Sequence, residues 1–139
     1  MSYKANTTTL QNVARCLLGT FMIGAGTGHL TFARQPFQAQ VPDWVPQSKD
    51  AVVLESGVVE IGLGLALIFC PRRYRIGLGV GLAAFYAAVF PGNIHQYLDR
   101  LPALGLDTDR QRYVRLFLQP VLIGVTLWAT GAFGTKRKP

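Results

Sequence analysis

Few side chains in this chain can hold or move a proton, and several of them sit inside apolar surroundings. Among 14 Lys and Arg, 7 Asp and Glu and 2 His, Arg15, His29, Glu55, Glu60 and Arg115 interrupt or border long uncharged stretches, with Asn93 and Gln119 close by. A histidine titrates near neutral pH and can relay a proton. A carboxyl group can accept one, and amides can bond a carbonyl or a hydroxyl. That set suits holding the polar end of a largely apolar molecule. Covalent catalysis has no support: serine nucleophile arrangements, phosphate-cradling loops and paired catalytic carboxylates are absent from the pattern. "GLGVG" at Gly77–Gly81 follows no strand, so it reads as helix packing and not as a dinucleotide loop. His29, His95 and Glu55 show no ligand spacing within one segment, and no metal site is expected.

The elements that must carry these residues are apolar runs. Half of the 139 residues are hydrophobic and 15% are charged, against about a quarter charged in an ordinary soluble domain. The runs Cys16–Ala33, Ala51–Cys70, Ile76–Ile94 and Leu116–Thr135 each approach the roughly 20 residues a helix needs to cross hydrocarbon. None carries the polar stripe of a soluble bundle helix. The expectation is therefore an all-α, integral membrane four-helix bundle forming a single domain, with spans at about 10–33, 50–70, 75–94 and 113–133. The first apolar stretch lacks a clean small-residue cleavage site and reads as a retained helix.

The net charge of +7 does not point to nucleic acid, because the bases cluster in short flanks. Arg72, Arg73 and Arg75, with Lys136, Arg137 and Lys138, act as a positive-inside signal. They place both termini in the cytoplasm and both longer connections outside, in the cell membrane. Cys16 and Cys70 fall at cytoplasmic helix ends without a C-x-x-C, and read as small buried residues. The connections match: "HLTFARQP" from His29 and "HQYLDRLP" from His95 both fit H-x-x-x-x-R-x-P, as two parallel duplicated hairpins would. The first, broken by Pro36, Pro42 and Pro46, cannot be a long helix. The second reads as an amphipathic piece lying on the membrane. Small-residue stripes at Thr20, Gly24 and Gly28, at Ser56, Glu60 and Gly64, and at Gly77, Gly81, Ala84 and Ala88 read as packing faces.

Depth along the spans suggests two intramembrane ion pairs, Arg15 with Glu60 and Glu55 with Arg115. The Arg15–Glu60 pair could fix helix register or take part in proton chemistry, and both readings stay open. His29, Asn93 and Gln119 share an outer layer with them. The expectation is an outward-facing polar pocket built from His29, Glu60, Asn93 and Gln119, covered by Phe37 and Trp44 of the first connection.

These residues resemble the DoxX-like family of small four-helix membrane proteins. The resemblance rests on Arg15 with "GTFMIGAGTGHLTF", on "PFQAQVPDWVP", on "SGVVEIGLGLALI" with Glu60, on "AAVFPGNIHQYL", and on "RLFLQPVLI" around Arg115 and Gln119. It covers nearly the whole chain from about residue 10 to 130. It implies an accessory subunit of a quinol- or thiosulfate-linked oxidoreductase, a partner in membrane thiol-stress complexes, or an assembly chaperone for other membrane proteins. The chain departs from thiol-linked relatives in lacking an outer cysteine pair, and it has no haem or flavin motif. Two functions are therefore expected. One is a quinone- or lipid-binding accessory to an oxidoreductase; the other is an assembly module without its own ligand. Membrane lipid, a membrane or extracytoplasmic protein and a second copy of the chain are the expected partners.

Overall fold

A computed structural model of the chain describes residues 6–133. Lys4, Lys136, Arg137 and Lys138, which bear on the expected orientation, lie outside the described residues. The described chain is helical throughout: α1 Thr9–Leu30, α2 Arg34–Phe37 continuing as a 3-10 turn over Gln38–Gln40, α3 Lys49–Phe69, α4 Arg72–Leu98 and α5 Asp109–Ala129. Each long helix begins where a local signal demands it. Thr8 and Thr108 accept from the backbone of Gln11 and Gln111, whose side chains return the bond, and Ser48 accepts from Ala51 N. Pro71 sits just ahead of α4.

The helices form two antiparallel pairs, α1 with α3 and α4 with α5. Although only Cys70 and Pro71 join α3 to α4, those two helices touch little. Glycine explains the first pair. A Cβ on Gly26 would lie 2.6 Å from Gly57 O, and one on Gly19 would lie 2.6 Å from Gly64 O. The two helices approach closely because these positions have no side chain. In the second pair, a Cβ on Gly79 would overlap Thr130 Oγ1, and Tyr97 packs on Tyr113 with ring centroids 5.6 Å apart. Leu18, Met22, Leu67, Leu82 and Tyr86 make the apolar core where the pairs meet. Gln11 Nε2 donates to Trp128 O at 2.7 Å and closes one end. Gln40 Nε2 donates to Gln96 Oε1 at 3.1 Å and closes the other.

Several expectations need correction. Two helices, Lys49–Phe69 and Arg72–Leu98, are long and apolar enough to cross a membrane, or three if α1 counts with the segment bent 97° from it; four do not pass. The reason is composition. The first turns of α1 carry Gln11, Asn12 and Arg15, and α5 starts at Asp109, so Arg110, Arg112 and Arg115 fall inside it. The second connection forms no amphipathic helix: α4 runs on to Leu98, and beyond it the chain turns, with an isolated bridge between Ala103 and Leu106. The Gly77, Gly81, Ala84 and Ala88 stripe is exposed, as are Thr20 and Gly24. The true α1–α3 seam repeats every seventh residue, at Gly19 and Gly26 against Gly57 and Gly64.

The expected ion pairs do not form. The glycine register sets Arg15 opposite Leu67 and Ile68, and its guanidinium donates to both carbonyl oxygens at the end of α3. Glu60 lies seven residues back along α3, about 10 Å along the axis. Glu55 is exposed on α3, and α5, which carries Arg115, does not pack against α3.

Candidate functional site

The α1–α3 register that separates Arg15 from Glu60 brings His29 to it. Ser56 and Glu60 stand four residues apart and so share one face of α3. His29 reaches both across Gly57, where a Cβ would come within 2.7 Å of the His29 Cβ. His29 Nδ1 lies 2.9 Å from Ser56 Oγ, and Nε2 lies 3.4 Å from Glu60 Oε2. Ser56 already donates to Val53 O at 3.0 Å, so its oxygen accepts from Nδ1. That choice sets the tautomer. Nε2 and the Glu60 carboxyl then hold one proton between them, since none would oppose two lone pairs and two would oppose two donors. The Phe37 ring covers the imidazole, with centroids 3.7 Å apart.

This pair opens on a cavity of about 580 Å³, within the range of small-molecule sites. The cavity lies between the helix pairs under the first connection. His29, Glu60, Asn93, Gln119, Phe37 and Trp44, the six residues expected to form a pocket, all line it. Gln119 Nε2 donates to Tyr86 O at 2.8 Å, and its Oε1 accepts from Arg115 Nη1 at 3.2 Å. Asn93 is only 4% exposed, and its Oδ1 has no partner. Glu60 Oε2 likewise accepts no hydrogen bond, beyond the approach of His29. Native proteins leave few buried polar atoms unbonded, so each such atom calls for a partner, whether water or ligand.

Trp44 lines the mouth yet stays 75% exposed, so it is a rim residue and not a cover. Buried Val41 and Pro42 close the roof. That roof docks on α4 at Gly92, where a Cβ would strike the Gln40 carbonyl oxygen, and Gln96 holds it from below. Gln96 also donates to Leu101 O and Ala103 O, each at 3.1 Å, so one buried amide fastens both connections. Pro91, also on the lining, cannot donate to the carbonyl four residues earlier.

Three lining residues stand outside the expected pocket set. Ser56, read as a packing residue, sets the histidine tautomer. Tyr86 places its hydroxyl within electrostatic range of Glu60 and beside Thr126. Arg115, expected to pair with Glu55, points its guanidinium at Gln119. The Ser56–Glu60 spacing was visible beforehand; the turn of Tyr86 and Arg115 toward one space depends on how the helix pairs meet.

His95 does not join the cavity. Its Nδ1 lies 3.1 Å from Asp99 Oδ2 on its own helix. Asp43, His95 and Asp99 bring ligand-type atoms within 4.8 Å of one another. Both acids are exposed, and Lys49 Nζ, 2.7 Å from Asp43, already supplies a counter-charge. That lysine holds the Asp43 carboxyl below the usual carboxylate range. Cys16 and Cys70 are free thiols.

Residues 18–130 match the family model described as Domain of unknown function (DUF8561). No curated protein and no solved structure matches the chain.

Proposed function

The chain belongs to the DUF8561 family, whose description assigns no activity, and from that premise we propose that it is an integral membrane protein that binds the polar head of an amphiphile. Its role is that of a DoxX-like accessory to a quinone- or lipid-linked oxidoreductase. The observation that carries this reading is the cavity itself. Apolar walls from Leu18, Phe21, Val52, Val89 and Leu122 converge on His29, Glu60 and Asn93, and the almost fully buried Asn93 side chain makes no hydrogen bond among the described residues. An apolar tail would lie along the walls, and its polar head would meet the polar groups gathered at that end.

Membrane embedding of the whole bundle, with α1 and α5 crossing beside α3 and α4, is supported by their outer faces. Leu10, Val13 and Leu17 on α1 are exposed, as are Val114, Phe117 and Val121 on α5. A soluble protein rarely leaves so much contiguous apolar surface bare. At 22 and 21 residues, both helices exceed a hydrocarbon core of about 30 Å at 1.5 Å per residue. Arg72 and Arg73, exposed at the α3–α4 connection, support a cytoplasmic position for it and an outward-facing cavity.

Native mass spectrometry of the protein released gently from its own membranes tests this function. The expected result is a retained quinone- or lipid-sized mass that is lost in Asn93→Leu, a variant that fills the site and removes its amide. Stability should stay within about 1 kcal/mol of wild type. An empty cavity with a retained protein partner would overturn the ligand reading in favour of an assembly subunit.

A further inference from the structure

Three residues lining the cavity can carry a charge near neutral pH: His29, Glu60 and Arg115. The first two share a proton, so together they contribute no net charge whichever of them holds it. Arg115 remains. Its hydrogen bond goes to the neutral Gln119 amide, and it has no acidic partner among the described residues, where Glu60 is engaged by His29 and Glu55 faces outward. An arginine two turns inside a helix, facing a mostly apolar space, carries a charge that the site leaves unbalanced. Asn93, almost fully buried, lines the same cavity, and its side chain makes no hydrogen bond among the described residues. A planar guanidinium with free donors is suited to bind an oxyanion.

We infer that the cavity selects amphiphiles with a singly anionic head group, a carboxylate or a phosphodiester, held by the Arg115 guanidinium and the Asn93 amide. This inference rests on the amphiphile-binding reading and narrows it, favouring an anionic lipid over a neutral quinone. No bond is made or broken; the ligand enters as the anion, and its charge offsets that of Arg115. The His29–Glu60 proton stays in place and keeps the Glu60 carboxyl from repelling the head group.

The test uses the full chain in neutral detergent, carrying Trp128→Phe so that Trp44 at the cavity mouth is the only tryptophan. Quenching of Trp44 is titrated with dibromostearate and with its methyl ester, and separately with brominated phosphatidylglycerol and phosphatidylcholine. The expected result is that at least one anionic probe quenches with a midpoint about tenfold or more below that of its neutral counterpart, as a charge-assisted contact would give. The fatty acid and phospholipid arms then say which source of the anion fits. Arg115→Gln should abolish the preference and Arg115→Lys should retain most of it. Arg72→Gln, at the other end of the bundle, should change nothing, which separates the site from general attraction to a basic protein. The acid-to-ester ratio in the parent protein needs no variant, so misfolding of Arg115→Gln would leave the test intact. Equal saturable quenching by charged and neutral probes would overturn the anion preference and leave the amphiphile site standing. Absence of saturable quenching by any probe would overturn both.

Discussion

At the scale of single residues, the structure separates two polar groups that looked like partners. Arg15 serves the end of α3, donating to the Leu67 and Ile68 carbonyls that a helix terminus leaves without partners. Glu60 serves the cavity through His29. Two consequences can be measured by unfolding in mild detergent, followed by helicity. Arg15→Gln should destabilise by about 2–3 kcal/mol, the usual range for losing charged hydrogen bonds. Combining it with Glu60→Gln should give losses that add within about 0.5 kcal/mol, since the two share no partner. A coupling well above that would restore the direct ion pair. His29 and Glu60 should couple when both are changed. His29, Glu60, Asn93 and Gln119 were legible because ionisable and amide groups in apolar helices turn inward. Which carboxyl meets which base was not, because that depends on a register set by glycines carrying no polar signal.

At the scale of helices, glycine position decides the α1–α3 contact, and four-residue spacing found one member of it, Gly64, while missing Gly19, Gly26 and Gly57. Stripes at four-residue intervals pointed to Gly24, Gly77 and Gly81, where an added Cβ would meet nothing within 4 Å. The buried seam is Gly19 and Gly26 against Gly57 and Gly64. Gly57→Ala should push α1 from α3 and cost about 1–3 kcal/mol, as overpacking does. It should also weaken ligand retention, because His29 sits against that position. Gly24→Ala should be neutral, or stabilise by up to about 1 kcal/mol through helix propensity. Thermal unfolding of the two variants side by side checks this; equal effects would mean that the seam is misplaced. Helix starts were readable to within a few residues for α1 and α3, where Thr8 and Ser48 cap. The start of α5 was not, because the expected span followed hydropathy and began at Tyr113, whereas the Thr108 and Gln111 capping box begins the helix in charged residues.

At the scale of the molecule, two helix pairs are fastened in similar ways. Arg34 binds Asp50 in the first turn of α3 at 2.5 Å, and Arg100 approaches Asp109 in the first turn of α5 at 3.7 Å. The matched H-x-x-x-x-R-x-P motifs thus mark comparable junctions, each with a histidine in the last turn of one helix and an arginine reaching the start of the next. The two histidines differ in partner, His29 meeting Glu60 at the cavity and His95 meeting Asp99 on its own helix. The all-helical class was legible from the apolar runs. The number of helices apolar enough to cross on their own was not, since α1 and α5 carry the polar residues that a bundle interior and its ends need.

The central claim is that the space between the pairs is a head-group site. Photo-crosslinking measures it most directly: an amphiphile bearing a diazirine beside its head group is irradiated with the protein in its native membrane, and the labelled peptides are identified. The account predicts label on peptides carrying His29, Glu60 and Asn93, suppressed in Asn93→Leu. Label confined to the outer faces at Leu17, Val80 or Phe117, unchanged by that variant, would contradict it.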